Sequence, residues 1–205
     1  MTRKEEIIYA ALQLASENGL KAVSLGDIAD RVGIKKPSLY NHFASKEELI
    51  DEMYSVLREQ ARRHSSTPAD LSVSFEGKSL EDILTDCLEG YLKFVSDRDM
   101  LTFFRVIYSE RSTSPAAAQI MTEETERMIG STKALFYSLV VHGKMKNESV
   151  DTAALSFAMT IHSLVDRQLD IMTAGGAPLS VTGLTEDMKE FIRWFSRQTE
   201  VTDNA

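Results

Sequence analysis

The chain has 205 residues, 43% of them hydrophobic and 26% charged, with a formal net charge of −8. That length allows one or two domains with a sizeable core, and the single cysteine, Cys87, excludes a disulfide framework. No apolar run approaches the ~20 residues needed to cross a bilayer, and the N-terminus lacks a signal peptide's apolar core; the expectation is a cytoplasmic protein with no membrane partner.

Helical periodicity dominates from the start, and strand alternation is scarce. Ile7, Ile8, Ala11, Leu12, Leu14 and Ala15 form one apolar face, and Asn18-Gly19 ends it as a helix stop. Ser24 can cap a second helix, with Leu25, Ile28, Ala29 and Val32 inward and Asp27 in the first turn, where the dipole favours an anion. Gly33 supplies a left-handed stop. Pro37 suits the first turn of a third helix, because its missing N–H has no partner there in any case. This helix is brief and ends near Phe43. Ser45 and Glu48 make a capping box for a fourth, which runs to about Arg63.

The segment 64–79, HSSTPADLSVSFEGKS, has no helical period and reads as a linker. Helices over about 80–96 and 97–110 follow, the second capped by Asp97. Another spans about 115–142, with Ser114 as cap and Pro115 at the first position. Two more cover 151–173 and 185–199, separated by the turn AGGAPLSVTG. The fold class is all-α with about nine helices. The domains are expected at 1–63 and 64–205. The first holds 10 basic and 10 acidic residues and the second 13 and 21, so a polyanion would favour the first third of the chain.

Residues 24–43, SLGDIADRVGIKKPSLYNHF, read as two short helices of about eight residues joined at Val32-Gly33-Ile34, a helix-turn-helix. Leu39 and Phe43, four apart, point to one side, toward Ile28, Ala29 and Ile34. Lys36, Pro37, Ser38, Tyr40, Asn41 and His42 then face outward. They are short or planar, mostly polar, and none is acidic. Such a surface suits the DNA major groove, where side chains meet base edges and flanking phosphates. Ser38 and Asn41 can bond a base edge or a phosphate, the Tyr40 hydroxyl can reach a phosphate, and Lys36 supplies charge. Lys46, at the start of the fourth helix, makes a phosphate clamp with that helix's N–H groups, and Ser24 and Leu25 open the second helix similarly. A packing helix with a solvated polar face is the plainer reading of any one such helix.

These residues resemble the N-terminal domain of TetR/AcrR-type transcriptional regulators. The likeness rests on Ala10-Ala11, Leu14, Gly19, Ser24 with Ile28-Ala29, Val32-Gly33-Ile34, Ser38-Leu39-Tyr40, His42-Phe43 and Ser45-Lys46-Glu47-Glu48-Leu49. The resemblance implies a homodimeric repressor with a larger, small-molecule-binding domain, and two recognition helices about 34 Å apart on a palindromic double-stranded DNA operator. Two positions depart from the pattern. Lys35 stands where many members have a capping Ser, which moves a contact from a cap to a phosphate, and Pro37 stands where Gly is frequent.

Tyr91, Phe94, Phe103, Phe104, Ile107, Tyr108, Met128 and Phe136 are the candidate lining of the implied pocket, with core packing the plainer account of any one of them. An apolar or aromatic effector is expected, since no Gly-rich phosphate loop is present. For pairing, Leu155, Ala158, Met159, His162, Val165 and Leu169 follow 3–4 spacing on one helix, and Met188, Phe191, Ile192 and Phe195 on the next. Two copies could bury both stripes in a four-helix bundle; alternatively, both pack within one chain. The histidines have no metal-ligand spacing, TEETER at 122–127 reads as a solvated helix face, and neither a cofactor nor a metal is expected. The chain lacks G-x-S-x-G, H-E-x-x-H and a P-loop, so an enzyme is not expected. The acidic total leaves a second reading: a dimeric small-molecule-binding or adaptor protein that no longer binds DNA.

Overall fold

The computed structural model describes residues 2–64, 75–176 and 184–201. Most of the expected linker, and most of the turn before the last helix, lie outside the described residues. Among those described there are nine helices, in agreement with the all-α expectation: α1 Arg3–Asn18, α2 Leu25–Val32, α3 Lys36–Leu39, α4 Lys46–His64, α5 Leu80–Val95, α6 Arg98–Glu110, α7 Pro115–Val141, α8 Val150–Thr173 and α9 Glu186–Thr199. No described helix is long and apolar enough to cross a membrane.

The helix starts follow local chemistry. Ser24, Asp97 and Ser114 accept a first-turn amide with a side-chain oxygen, as the sequence predicts, and Thr185 does the same at the start of α9. The Ser45 cap is only half the expected box. Its hydroxyl accepts from the Glu48 amide at 3.1 Å, but the Glu48 carboxylate takes the Ala44 amide at 2.5 Å instead of that of Ser45. Thr2 and Ser79 add complete capping boxes with Glu5 and Asp82.

The chain divides into two compact units. The first comprises Met1–Ser66 and Asp97–Glu123, the second Thr67–Ser96 and Glu124–Ala205. The first unit therefore takes in more chain than 1–63, because it includes α6 and the start of α7. The physical reason lies in α1. Seven of its residues, Ile7, Ile8, Ala10, Ala11, Leu12, Leu14 and Ala15, are buried, a stripe wider than one neighbouring helix can cover. α1 packs against α2, α4 and α6, and α6 brings Met100, Phe103, Val106 and Ile107 into this core. The charged surface adds Lys4–Glu52 at 2.9 Å, Arg31–Glu17 at 3.2 Å and Arg58–Glu123 at 3.2 Å. The first two are exposed and contribute little, the third is half-buried, and the apolar interface sets the unit's stability.

In the second unit α9 packs against both α5 and α8. Phe136, Phe157 and Phe195 form its aromatic centre, with ring centroids 5.0–5.6 Å apart and tilted or edge-on, the arrangement that suits aromatic quadrupoles. The end of α9 is tied in by polar contacts. The Lys146 amide donates to the Thr199 carbonyl at 2.8 Å, and the Leu80 amide, in the first turn of α5, donates to the Glu200 carboxylate at 3.2 Å.

Phe136 is fully buried, so Phe136→Ala removes a large side chain from a centre with nothing to refill it. The substitution is expected to lower the unfolding free energy by about 3–5 kcal/mol, read as a fall in the urea midpoint of the second unit; a change well under this range would show that the aromatic cluster is not the unit's anchor.

Candidate nucleic-acid interface

The helix-turn-helix is held from its two ends inward. At the start of α2 the Asp27 amide donates to the Ser24 hydroxyl oxygen at 3.2 Å, while the Ser24 amide donates back to the Asp27 carboxylate at 2.8 Å. Bonds from the Ser24 side chain and then its backbone hold the Asp27 carboxyl below the usual carboxylate range, with the Lys46 ammonium adding to the effect. The sign follows: this cap is present above the ordinary carboxylate pKa and is lost only as pH falls through the depressed value. At the far end Gly33 adopts φ 74°, ψ 34°, the left-handed region, and its amide donates to the Ala29 and Asp30 carbonyls. The Ile34 amide returns to the Ala29 carbonyl at 2.9 Å. Together these close the helix and send the chain back toward the core.

The third helix is shorter than the eight or so residues expected. α3 proper has four, and the chain then continues as a turn, with Asn41 N–H to Ser38 O at 3.3 Å and His42 N–H to Leu39 O at 2.9 Å. These i to i+3 bonds wind the segment more tightly than an α-helix. One i to i+4 bond remains, from the Phe43 amide to the Leu39 carbonyl at 3.1 Å, and it keeps those two side chains on the inner side. Leu39 and Phe43 are buried. Lys4 from α1 lies 5.4 Å from the Phe43 ring centroid and adds a cation–π contact to that anchor.

On the outer side Lys35, Lys36, Pro37, Tyr40 and Asn41 are exposed, and Ser38 and His42 half-buried. Tyr40 is 48% exposed, unusual for so large a ring in an anchored segment. Lys35 precedes α3 without a side-chain cap bond, which leaves its ammonium in solvent and fits the departure from the usual serine. Two expected contacts look different in detail. Leu25 is buried, so only its backbone amide, in the first turn where the helix supplies no acceptor, could face a phosphate. The Lys46 ammonium is tied to the Leu20 carbonyl at 3.0 Å, which fixes the start of α4 beside the turn between α1 and α2. That tie singles out a cation the sequence reading missed. Lys21 is exposed next to Leu20, at the same corner.

The expected pocket residues divide between the units. In the first, Phe103 and Ile107 are core, while Phe104 is half-buried between the Phe103 and Tyr108 rings, at 5.3 and 6.2 Å. Arg111 lies over the Tyr108 ring at 4.4 Å. In the second unit Phe136 is core, and Tyr91, Phe94 and Met128 are half-buried. Of the expected pairing residues, Ala158, Val165, Met188, Ile192 and Phe195 are enclosed within the chain's own core. Only Leu155 and Met159 are exposed, with His162, Leu169 and Phe191 half-buried. A 3–4 stripe marks a buried face without saying what buries it, and here the same chain does. Trp194, 57% exposed in a shallow cleft with Glu190, Arg193 and Arg197, was not foreseen; a large aromatic on the polar side of an amphipathic helix is the signal that could have found it.

Comparison with known proteins extends the likeness beyond the first 60 residues. Residues 7–53 match the family described as bacterial regulatory proteins, tetR family, and residues 82–197 match the C-terminal domain of AefR-like transcriptional repressors. The HTH-type transcriptional repressor KstR2 of Mycobacterium tuberculosis is 48% identical over 52 residues, 25% of this chain and 26% of that one. The HTH-type transcriptional activator FasR of Mycolicibacterium smegmatis is 29% identical over 108 residues, 49% of this chain and 48% of that one. The chain thus aligns with a quarter to a half of these curated relatives' length. A transcriptional regulator from Rhodococcus sp. Rha1 has the same fold, with a TM-score of 0.66 at 17% identity over 98% of this chain and 100% of that one.

A Cβ added at Gly33 would meet nothing within 4 Å, so Gly33→Ala isolates the backbone cost of the left-handed turn. It is expected to destabilise the first unit by about 1–2 kcal/mol and to speed amide exchange across 28–43; unchanged exchange there would mean the turn does not hold the third helix.

Proposed function

Because the chain belongs to the TetR family of bacterial regulatory proteins, we propose that it is a homodimeric repressor that reads a palindromic DNA operator in the major groove and responds to a small-molecule effector. The observation that carries this reading is the two-sided third helix. Buried Leu39 and Phe43 lock one side, and the other offers Lys35, Lys36, Tyr40 and Asn41 to a partner without any acidic residue between Lys35 and Ser45. Pro37, Ser38 and His42 complete that surface, and Ser24, the Leu25 amide, Lys21 and Lys46 flank it as phosphate contacts.

Pairing uses what α8 and α9 leave outward. Leu155 and Met159 lie four apart on one face of α8, and Trp194 is the large aromatic exposed on α9. Dimerisation through these faces would set two reading heads at a fixed spacing, one duplex turn apart. The effector is held in the second unit, whose match to a repressor C-terminal domain supports that role. It and DNA would favour different spacings of the heads, and by linkage each then lowers the affinity for the other.

Fluorescence anisotropy against the protein's own upstream DNA tests the reading. Tyr40→Ala is expected to weaken binding by about 1–3 kcal/mol, and Lys36→Ala to lower the slope of log affinity against log salt by about one per contacted phosphate. Helical content should stay as in the wild type. Wild-type affinity in both variants would remove these residues from the interface, and no binding to any duplex at low salt would favour an adaptor over a regulator.

A further inference from the structure

The outer side of α9 carries a charge order that the rest of the chain leaves unanswered. Glu190, Trp194 and Arg197 follow 4–3 spacing, so they share one face of the helix, and all three are exposed. With Arg193 they line a shallow cleft of about 320 Å³. The other charges of α9 are engaged. Glu186 pairs with Lys189 at 2.8 Å, Asp187 with Arg167 of α8 at 3.1 Å, and Arg193 lies 3.7 Å from Glu81 of α5. Among the described residues Glu190 and Arg197 have neither an ion pair nor a side-chain hydrogen bond. They cannot answer each other either. Two helical turns, about 10 Å along the axis, separate them, with Trp194 between.

A large exposed aromatic beside arginines is the composition of an interface centre, where Trp and Arg carry most of the binding energy. The shallow cleft does not suit a small ligand, which needs most of its surface enclosed. A helix laid along it needs only one side covered. The order of the charges says which helix. In an antiparallel copy of α9 crossing at Trp194, Glu190, one turn before the indole, meets Arg197, one turn after it. Two-fold symmetry makes that pair twice. A parallel copy would set Glu190 against Glu190 and Arg197 against Arg197, and such like-charge contacts are strongly unfavourable. The stripe is self-complementary in one direction only.

We propose that the outer face of α9 is a self-recognition surface: two copies of this chain pair their α9 helices antiparallel across Trp194, each Glu190 meeting Arg197 of the other copy. The inference rests on the homodimer reading and adds the orientation of pairing and the side chains that fix it. Trp194 supplies the apolar contact, and the two charge pairs around it select the register and reject a foreign stripe.

Sedimentation equilibrium of the full chain without DNA, over a series of concentrations, tests this. Glu190→Arg and Arg197→Glu, each alone, are expected to raise the dimer dissociation constant at least about tenfold, because each sets two like-charged pairs across the axis. Combining the two reverses both charges and should bring the constant back to within about threefold of wild type. Trp194→Ala should weaken pairing as well, and the charge exchange should not rescue it. The three positions lie outside the core, so circular dichroism should show wild-type helicity throughout. A wild-type dimer that both single variants match would overturn the proposal and leave the homodimer to another face. Weakened single variants without recovery in the combined one would overturn the antiparallel register. A wild-type chain that stays monomeric throughout would remove the homodimer reading itself and leave the cleft to a different partner.

Discussion

The proposed reading head depends on burying two side chains. Leu39 and Phe43 enter a core made by α1 and α2, and without them nothing would hold a four-residue helix, far below the ~12 residues at which isolated helices become even marginal in water. Burial of a leucine and a phenylalanine contributes roughly 1.5–3 kcal/mol each. That is enough to fix a segment whose backbone bonds alone would not. The outward side chains are freed from any structural duty, and their identities can serve a partner.

The same logic explains why the first unit extends past the helix-turn-helix. α1 is the surface on which everything else is mounted, and its broad apolar stripe needs α6 as well as α2 and α4. Near this contact Tyr54 of α4 is buried, its phenol raised by that burial and by the charges of Glu110 and Asp51. α4 therefore begins at a charge-to-carbonyl contact, the Lys46 tie, and packs through a buried aromatic ring in its middle. In the second unit the aromatic centre of Phe136, Phe157 and Phe195 does the corresponding work.

Much of this was legible in the residues. Caps at Ser24, Asp97 and Ser114, the left-handed stop at Gly33 and the inward pair Leu39 and Phe43 are local chemistry, and local chemistry is what a sequence displays. What a face packs against is not local. The α8 and α9 stripes read equally well as an interface between copies or as an interior, and five of their residues proved to be interior. Leu25 opens a helix, which suggests a contact, yet its side chain completes the core. Glu124 sits among charged neighbours that suggest solvent, yet one of its carboxylate oxygens is sealed from it. The Lys46 tie was hidden because its partner, Leu20, lies 26 residues away and offers a backbone carbonyl that no side-chain pattern reveals.

The central claim is that a segment anchored by Leu39 and Phe43 meets DNA with its outer side. Amide hydrogen exchange of the wild-type protein, alone and with its upstream duplex, tests this most directly, because it reports where protection arises without altering any residue. The account predicts slowed exchange concentrated in residues 24–46, with the α8 and α9 amides unchanged by the duplex. Protection that arises on α8 or α9 while 36–43 stays as in the free protein would contradict it.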